Sequence, residues 1–281
     1  MSTATGQAPE LTPLLERVSF ALRRRQKVSD LARTESRLEA TLRRLFRHQG
    51  TLMEIELGKM RGSFLEAPRE PEWGPAWERV AGDTERAFTV AVDAAAAEAL
   101  RKGAQRLSDD LELGVSFDLK NPRAVAWLEA HAGQRVTRIS ETTRGYIRTL
   151  MTHAVDEGWS YDKTARMLKA RFTEFAVGVP QQHIASRAHL IAVTESAMGY
   201  EAGNALMVAD MTAEGLQMEK HWLTVGDSRV DEDCESNEAE GWLPAEASFP
   251  DGSDEPPAHP ACRCTTQYQV AGQAQEFGQE A

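Results

Sequence analysis

From Leu11 to about Met60 apolar residues return at three- and four-residue steps: Leu14, Leu15, Val18, Leu22, then Leu31, Leu38, Leu42, Leu45, Phe46 and Leu52. That spacing predicts one long helix. Residues 1–9 carry no such pattern and are expected to be disordered. Glu66 to Pro75 holds three prolines and a glycine, so the helix is expected to break there, at a soft domain boundary. Thr84 to Leu107 is alanine-rich and predicts a helix, and Ala94 to Ala97 lets another helix approach closely. Leu113 to Phe117 reads as a loop or short strand.

Asn121 and Pro122 have the chemistry of an N-cap and a first helical residue, opening a helix to about His131. Thr137 to Glu157 predicts the next, with Ile139, Tyr146, Ile147, Leu150 and Val155 facing inward and Gly158 stopping it. Ser160 caps a further helix from Tyr161 to Phe172, and His183 to Met207 predicts another, with Ile184, Ala188, Ile191 and Ala192 on one face. After Gln217 the texture changes. Glu219 to Val225 and Cys264 to Val270 have the β-branched, aromatic and alternating content of strands, separated by turns, acids and prolines. The fold class expected is mainly α: a helical bundle with a long N-terminal helical arm and a small α+β C-terminal module. The divisions are 1–70 (basic helical arm), 75–215 (helical body), 216–270 (C-terminal module) and 271–281 (tail).

Charge separates the two ends. The 281-residue chain has a net charge of −11, yet residues 1–50 hold ten Lys/Arg against five Asp/Glu, and residues 221–281 hold two against thirteen. Arg23 to Arg25, Arg43 and Arg44 could line a solvated helix face or touch DNA phosphates or an acidic protein surface. No apolar run reaches the ~20 residues of a membrane span, and the first ten residues lack the basic and apolar regions of a signal peptide.

The densest chemistry lies between Trp222 and Cys264. All three cysteines are there, Cys234, Cys262 and Cys264, with His259 between Pro257 and Pro260. Zinc takes four tetrahedral ligands, commonly thiolate and imidazole, from two short knuckles. Cys234, His259, Cys262 and Cys264 make a chemically complete Cys3His set, and Asp231, three residues before Cys234, could substitute for one member. A structural zinc, reduced thiols packed in a rigid turn, and a catalytic Cys/His pair all remain open. Nearby, Asp227 could cap a turn and pair with Arg229, and Trp222 reads as core. Glu195 reads as a solvated residue or a buried carboxylate paired with Arg187 or Arg229.

Four stretches resemble a known family: residues 117–172, 187–204 (RAHLIAVTESAMGYEAGN), 222–244 (WLTVGDSRVDEDCESNEAEGWLP) and 249–264 (FPDGSDEPPAHPACRC). They resemble the minor head proteins typified by the F protein of phage Mu, the phage head morphogenesis proteins. Where relatives place the first cysteine of a Cys-x2-Cys pair, this chain has Asp231, and where they have Arg before Thr-Glu, it has Val193. The resemblance implies a tailed-phage virion protein in few copies, not an enzyme, inside the head near the portal and in the host cytoplasm during assembly. It implies the portal protein as partner, with capsid or scaffold protein and DNA as further candidates, and no membrane. The competing readings are a zinc-dependent hydrolase or nuclease, with Glu232 or Glu235 as general base, and a host-interaction module.

Overall fold

The computed structural model describes residues 11–60, 70–114, 116–177 and 186–272, with the backbone alone at 11–24, 70–71 and 132–134. The expected disorder over residues 1–9, the helix start from His183 with Ile184 on its inner face, and the tail beyond residue 272 lie outside the described residues.

Five helices build the bundle: α1 (Leu11–Met60), α2 (Glu70–Asp110), α3 (Pro122–Asp156), α4 (Tyr161–Val177) and α5 (Arg187–Ala213). At 1.5 Å per residue α1 is about 75 Å long. Its stripe of Leu31, Leu38, Leu42, Phe46, Met53 and Leu57 is buried against α2, α4 and α5, so from Lys27 onward it shares the bundle's core. Around Phe46 the core is aromatic: Phe88 and Phe175 meet it edge-on, with ring centroids 5.4 and 5.6 Å away. No helix of the described residues is long and apolar enough to cross a membrane.

Two helices differ from expectation. Helix α2 begins at Glu70, well before Thr84, and runs through Pro75. Pro75 leaves the carbonyl four residues before it, in the first turn, without its helical donor. Trp73 and Trp77 are 1% and 2% exposed. At about 1.5–3 kcal/mol or more for each large side chain buried, together they offset the ~3 kcal/mol an internal proline costs. Helix α3 is continuous where two helices were expected. Gly133 costs only about 1 kcal/mol in a helix interior, less than the burial of Val136, Ile139, Ile147, Leu150, Met151 and Ala154 on one side of the rod returns. Tyr146, expected inward, is 45% exposed.

The caps follow the sequence. Asn121 Oδ1 accepts from Arg123 N at 2.9 Å, and Lys163 N donates to Ser160 Oγ at 3.3 Å. Gly158 adopts a positive φ just past α3. Leu113 to Phe117 is irregular at every described residue. Ser186 accepts from His189 N at 3.1 Å and starts α5.

Helices α2 and α5 touch backbone to backbone. A Cβ at Gly103 would stand 1.9 Å from Tyr200 O, and one at Gly203 would stand 2.0 Å from Leu100 O. The alanine run of α2 is the facing surface: Ala96 O is 2.7 Å from a Cβ built on Gly199.

Lys27, Arg135, Glu195 and Glu201 put charge inside the bundle, and Arg187 is largely enclosed beside them. Glu195 is 8% exposed and pairs with Arg135 of α3 at 2.9 Å, not with Arg187 or Arg229. Arg187 sits among the rings of Phe46, Tyr146 and Phe175, 5.1–5.5 Å from their centroids. It donates to Thr143 Oγ1 and Ile139 O, and burial pulls its guanidinium down to about 10.

The C-terminal module is a three-stranded antiparallel sheet, order β2-β1-β3, with one short helix. Strand β1 (Met218–Leu223) is central, helix α6 (Glu232–Ala239) follows it, and β2 (Leu243–Pro244) and β3 (Thr265–Val270) flank it. The register sets Met218 opposite Val270 and Trp222 opposite Thr266.

Gly203→Ala tests the helix contact. The intrinsic helix gain of about 1 kcal/mol is outweighed by a Cβ forced into a carbonyl, so Tm falls by at least about 4 °C. Gly58→Ala in α1, where a Cβ meets nothing within 4 Å, raises Tm by about 1–3 °C. A Gly203→Ala protein melting at or above wild type would show that the two helices do not touch there.

Candidate metal centre

Asp231 starts α6. Its Oδ1 accepts from Asp233 N at 3.1 Å, and Glu232, Asp233 and Glu235 occupy the first turn, where carboxylates complement the helix dipole. This helix was missed among the acids, although an Asp followed by three acids in four residues is an N-terminus signal. Cys234 and Asn237, three apart, face inward and are 1% and 0% exposed.

The second knuckle is the turn from Pro256 to Cys264. Cys262 N donates to His259 O at 3.1 Å. Ala261 holds φ +60, a left-handed conformation costing about 1–3 kcal/mol in a residue with a Cβ. What sustains it is Thr194 of α5: its Oγ1 accepts from Ala261 N at 3.0 Å and donates to Leu190 O at 2.8 Å. The Thr194 side chain thus fixes the turn that aims Cys262 inward.

The three sulfurs of Cys234, Cys262 and Cys264 lie within 4.8 Å of one another, all buried. Cys234 Sγ is 3.7 Å from Cys262 Sγ and 3.6 Å from His259 Nε2. A tetrahedral zinc with bonds of about 2.3 Å to sulfur and 2.0–2.1 Å to nitrogen holds two sulfurs about 3.8 Å apart and a sulfur and a nitrogen about 3.6 Å apart. Both distances match. His259 Nδ1 lies 3.1 Å from Pro260 O; donating its N–H there leaves the Nε2 lone pair facing Cys234, the tautomer a metal ligand needs. His259 stands at the edge of the group, half-buried, rather than within the tight sulfur triangle. Asp231 is not in the group: it is exposed and its carboxylate serves the helix cap.

The electrostatics fit a cation. Hydrogen bonds from Cys234 and Cys264 pull the Cys262 thiol down, and the same bond to Cys262 pushes Cys234 far up. Three buried sulfurs cannot all ionise in a low-dielectric pocket by themselves, whereas a dication removes that penalty. Arg263, between two of the cysteines, turns away and forms a two-pronged pair with Asp227, 2.9 Å on each arm. Asp227 also accepts from Arg229 N and Nη2, each at 3.0 Å, as expected, and Arg263 holds its carboxyl well below the ordinary range. Trp222 is fully buried and meets Phe249 edge-on at 5.0 Å; with the three cysteines they form the module's hydrophobic cluster.

Two supports of this site escaped the sequence reading. Glu201 of α5, 0% exposed, accepts from Thr265 Oγ1 at 2.7 Å, Thr266 N at 3.1 Å and Lys27 Nζ at 2.7 Å. Lys27 Nζ also donates to Cys264 O. An acid on an otherwise apolar helix face was the available signal for Glu201. Lys27, 237 residues from Cys264, had none.

Glu232 and Glu235, candidate general bases of the enzyme reading, lie on the exposed face of α6, opposite Cys234.

No curated protein and no solved structure matches the chain. A family model does, from Tyr146 in the second half of α3 to Gln267 in β3, so it takes in α4, α5, the sheet and every cysteine, and leaves out α1 and α2. Residues 146–267 match the family described as phage Mu protein F like protein, and over that stretch the resemblance read from the sequence holds.

Proposed function

We propose that this chain is a minor head protein of a tailed phage, docked at the portal and acting in head morphogenesis and in genome packaging or delivery. The observation that carries the reading is the family match over the region containing the cysteine cluster. The family points to head morphogenesis; the portal, the virion interior as location, and contacts with capsid or scaffold protein are finer steps of the proposal. The cluster is a structural zinc site formed by Cys234, His259, Cys262 and Cys264. When bound, zinc supplies charge neutralisation and cross-links α6 to the turn before β3. Four protein ligands close the coordination shell, which favours a structural over a hydrolytic role.

The basic arm is a second contact in this proposal, for DNA phosphates. Arg25, Arg33, Arg44 and Arg47 are exposed, whereas Lys27 is buried on Glu201 and Arg37 pairs with Glu98 at 3.0 Å. The phosphate-binding charge of α1 is therefore smaller than its composition suggests.

Four outcomes are expected. Metal analysis finds about one zinc per chain, and chelation lowers Tm by more than about 5 °C, as does Cys262→Ser; coincident melting curves with and without chelator would remove the metal. Asp231→Ala costs about 1 kcal/mol of cap energy yet keeps full zinc content, whereas loss of zinc from that variant would make Asp231 a ligand. Co-expression with the portal protein of the same genome, followed by pull-down, recovers both chains; a portal eluting alone argues for the host-interaction reading instead. Replacing Arg33, Arg44 and Arg47 together with Gln lowers the salt slope of duplex DNA binding by about 2–3, and an unchanged slope removes the DNA contact.

A further inference from the structure

A cleft of about 300 Å³ opens between α2 and α3, outside the region of the family match. Its lining mixes apolar side chains, among them Trp77, Phe88 and Val136, with the hydroxyls of Thr137, Ser140 and Thr143. Gln49 of α1 belongs to its lining and is 4% exposed. The hydrogen bonds around it fix which way its amide faces. Thr84 Oγ1 donates to Val80 O at 2.8 Å, so toward Gln49 it can only accept, and Gln49 Nε2 is the donor, at 2.8 Å. Gln49 Oε1 is left buried with no hydrogen-bond partner. An unmet buried acceptor costs about 1–3 kcal/mol, which a ligand bringing an N–H would relieve.

The rim states the sign of that ligand. Glu78, Glu85 and Glu141 stand around the mouth against a single cation, Arg144, which reaches Glu78 at only 3.7 Å. Glu85 and Glu141 are exposed and have no ion pair among the described residues. Apolar and aromatic side chains in the lining, an acceptor at the base and carboxylates at the lip together suit a long aliphatic stem ending in a charged donor group.

We propose that this cleft is a docking site for a lysine or arginine side chain projecting from a partner protein. The charged head enters past Glu85 and Glu141 and points an N–H toward Gln49 Oε1, and the stem behind it lies along the wall on the Val136 side, leading back to the mouth. The volume is at the low end of the ~300–1,000 Å³ of small-molecule sites, room for one long side chain. Three carboxylates against one guanidinium at the rim favour a basic side chain here. The inference does not depend on the head-protein reading.

The test is an NMR titration of the full chain, following the Trp77 indole and Gln49 side-chain amide. The probes are an acetylated, amidated Ala-Arg-Ala tripeptide, its citrulline counterpart of the same shape without charge, and arginine amide. The arginine tripeptide is expected to bind saturably with Kd on the order of 1 mM, and the citrulline peptide at least about 10-fold more weakly. Glu85→Gln with Glu141→Gln weakens arginine binding by about 3–10-fold while Tm stays within about 2 °C of wild type, because both side chains are exposed. Gln49→Met, which keeps the volume and removes the acceptor, weakens it further. Equal binding of the citrulline peptide, or no saturable shift at Trp77, overturns the proposal. Arginine amide binding about 10-fold tighter than the tripeptide would make the cleft a small-molecule site and overturn the partner reading.

Discussion

Glu201 is the carboxylate on which the parts converge. It has no solvent exposure, and desolvating an isolated carboxylate costs several kcal/mol. That cost is met by one cation and by donors from a strand and from its own helix: Lys27 from α1, Thr265 and Thr266 from β3, and Asn204 one turn along α5. Each donor belongs to a segment that must therefore arrive in one position. Helix α1, the bundle and the sheet are registered against a single atom pair. Lys27 extends the chain of contacts to the carbonyl of Cys264, so a residue near the start of the protein helps set the backbone of a candidate metal ligand near its end. Breaking a buried pair by removing one partner typically costs about 3–5 kcal/mol, so this joint is a point of specificity more than of net stability.

The candidate metal centre depends on that joint and on Thr194. Both reach the cysteine turn from α5, one through Ala261 N and the other through Thr265 and Thr266. Helix α5 in turn is locked to α2 by glycines whose missing side chains let the backbones meet. The module's own apolar cluster contains only Trp222, Phe249 and the three cysteines among its fully buried members. Such a core is too small to hold four loop segments by hydrophobic burial alone, which is the usual reason small modules recruit a metal. The fit of two interatomic distances to tetrahedral geometry is thus consistent with the scarcity of other glue.

Local chemistry was readable and long-range pairing was not. Asn121, Gly158 and Ser160 cap or stop helices through their own side chains or backbone freedom, and each does so where its sequence neighbours indicate. The paired cysteines and the histidine announced themselves by proximity in sequence. The early start of α2 was hidden because Pro75 is a strong local breaker, and only burial of Trp73 and Trp77 against other helices overrides it. The partner of Glu195 was hidden for a related reason. Arg135 is distant along the chain, in a stretch read as the gap between two helices, and only continuity of α3 places it at 2.9 Å. The charge that Glu195 needs comes from a guanidinium of α3, not from its own helix.

A pair that crosses from one helix to another has a structural consequence. A carboxylate paired within its own helix would leave α3 free to shift against α5, whereas a pair across two helices ties their register together. Burial pushes Glu195 up and Arg135 down, so each ion is held charged by the other rather than by water. The acid lies next to Thr194 in sequence, and Thr194 holds the Ala261 turn. Position along α5 is therefore set at 195 by α3 and read out at 194 by the cysteine turn. The matched family region and the helices that precede it meet at this point, and the geometry of the candidate metal centre follows from how α5 is seated between them.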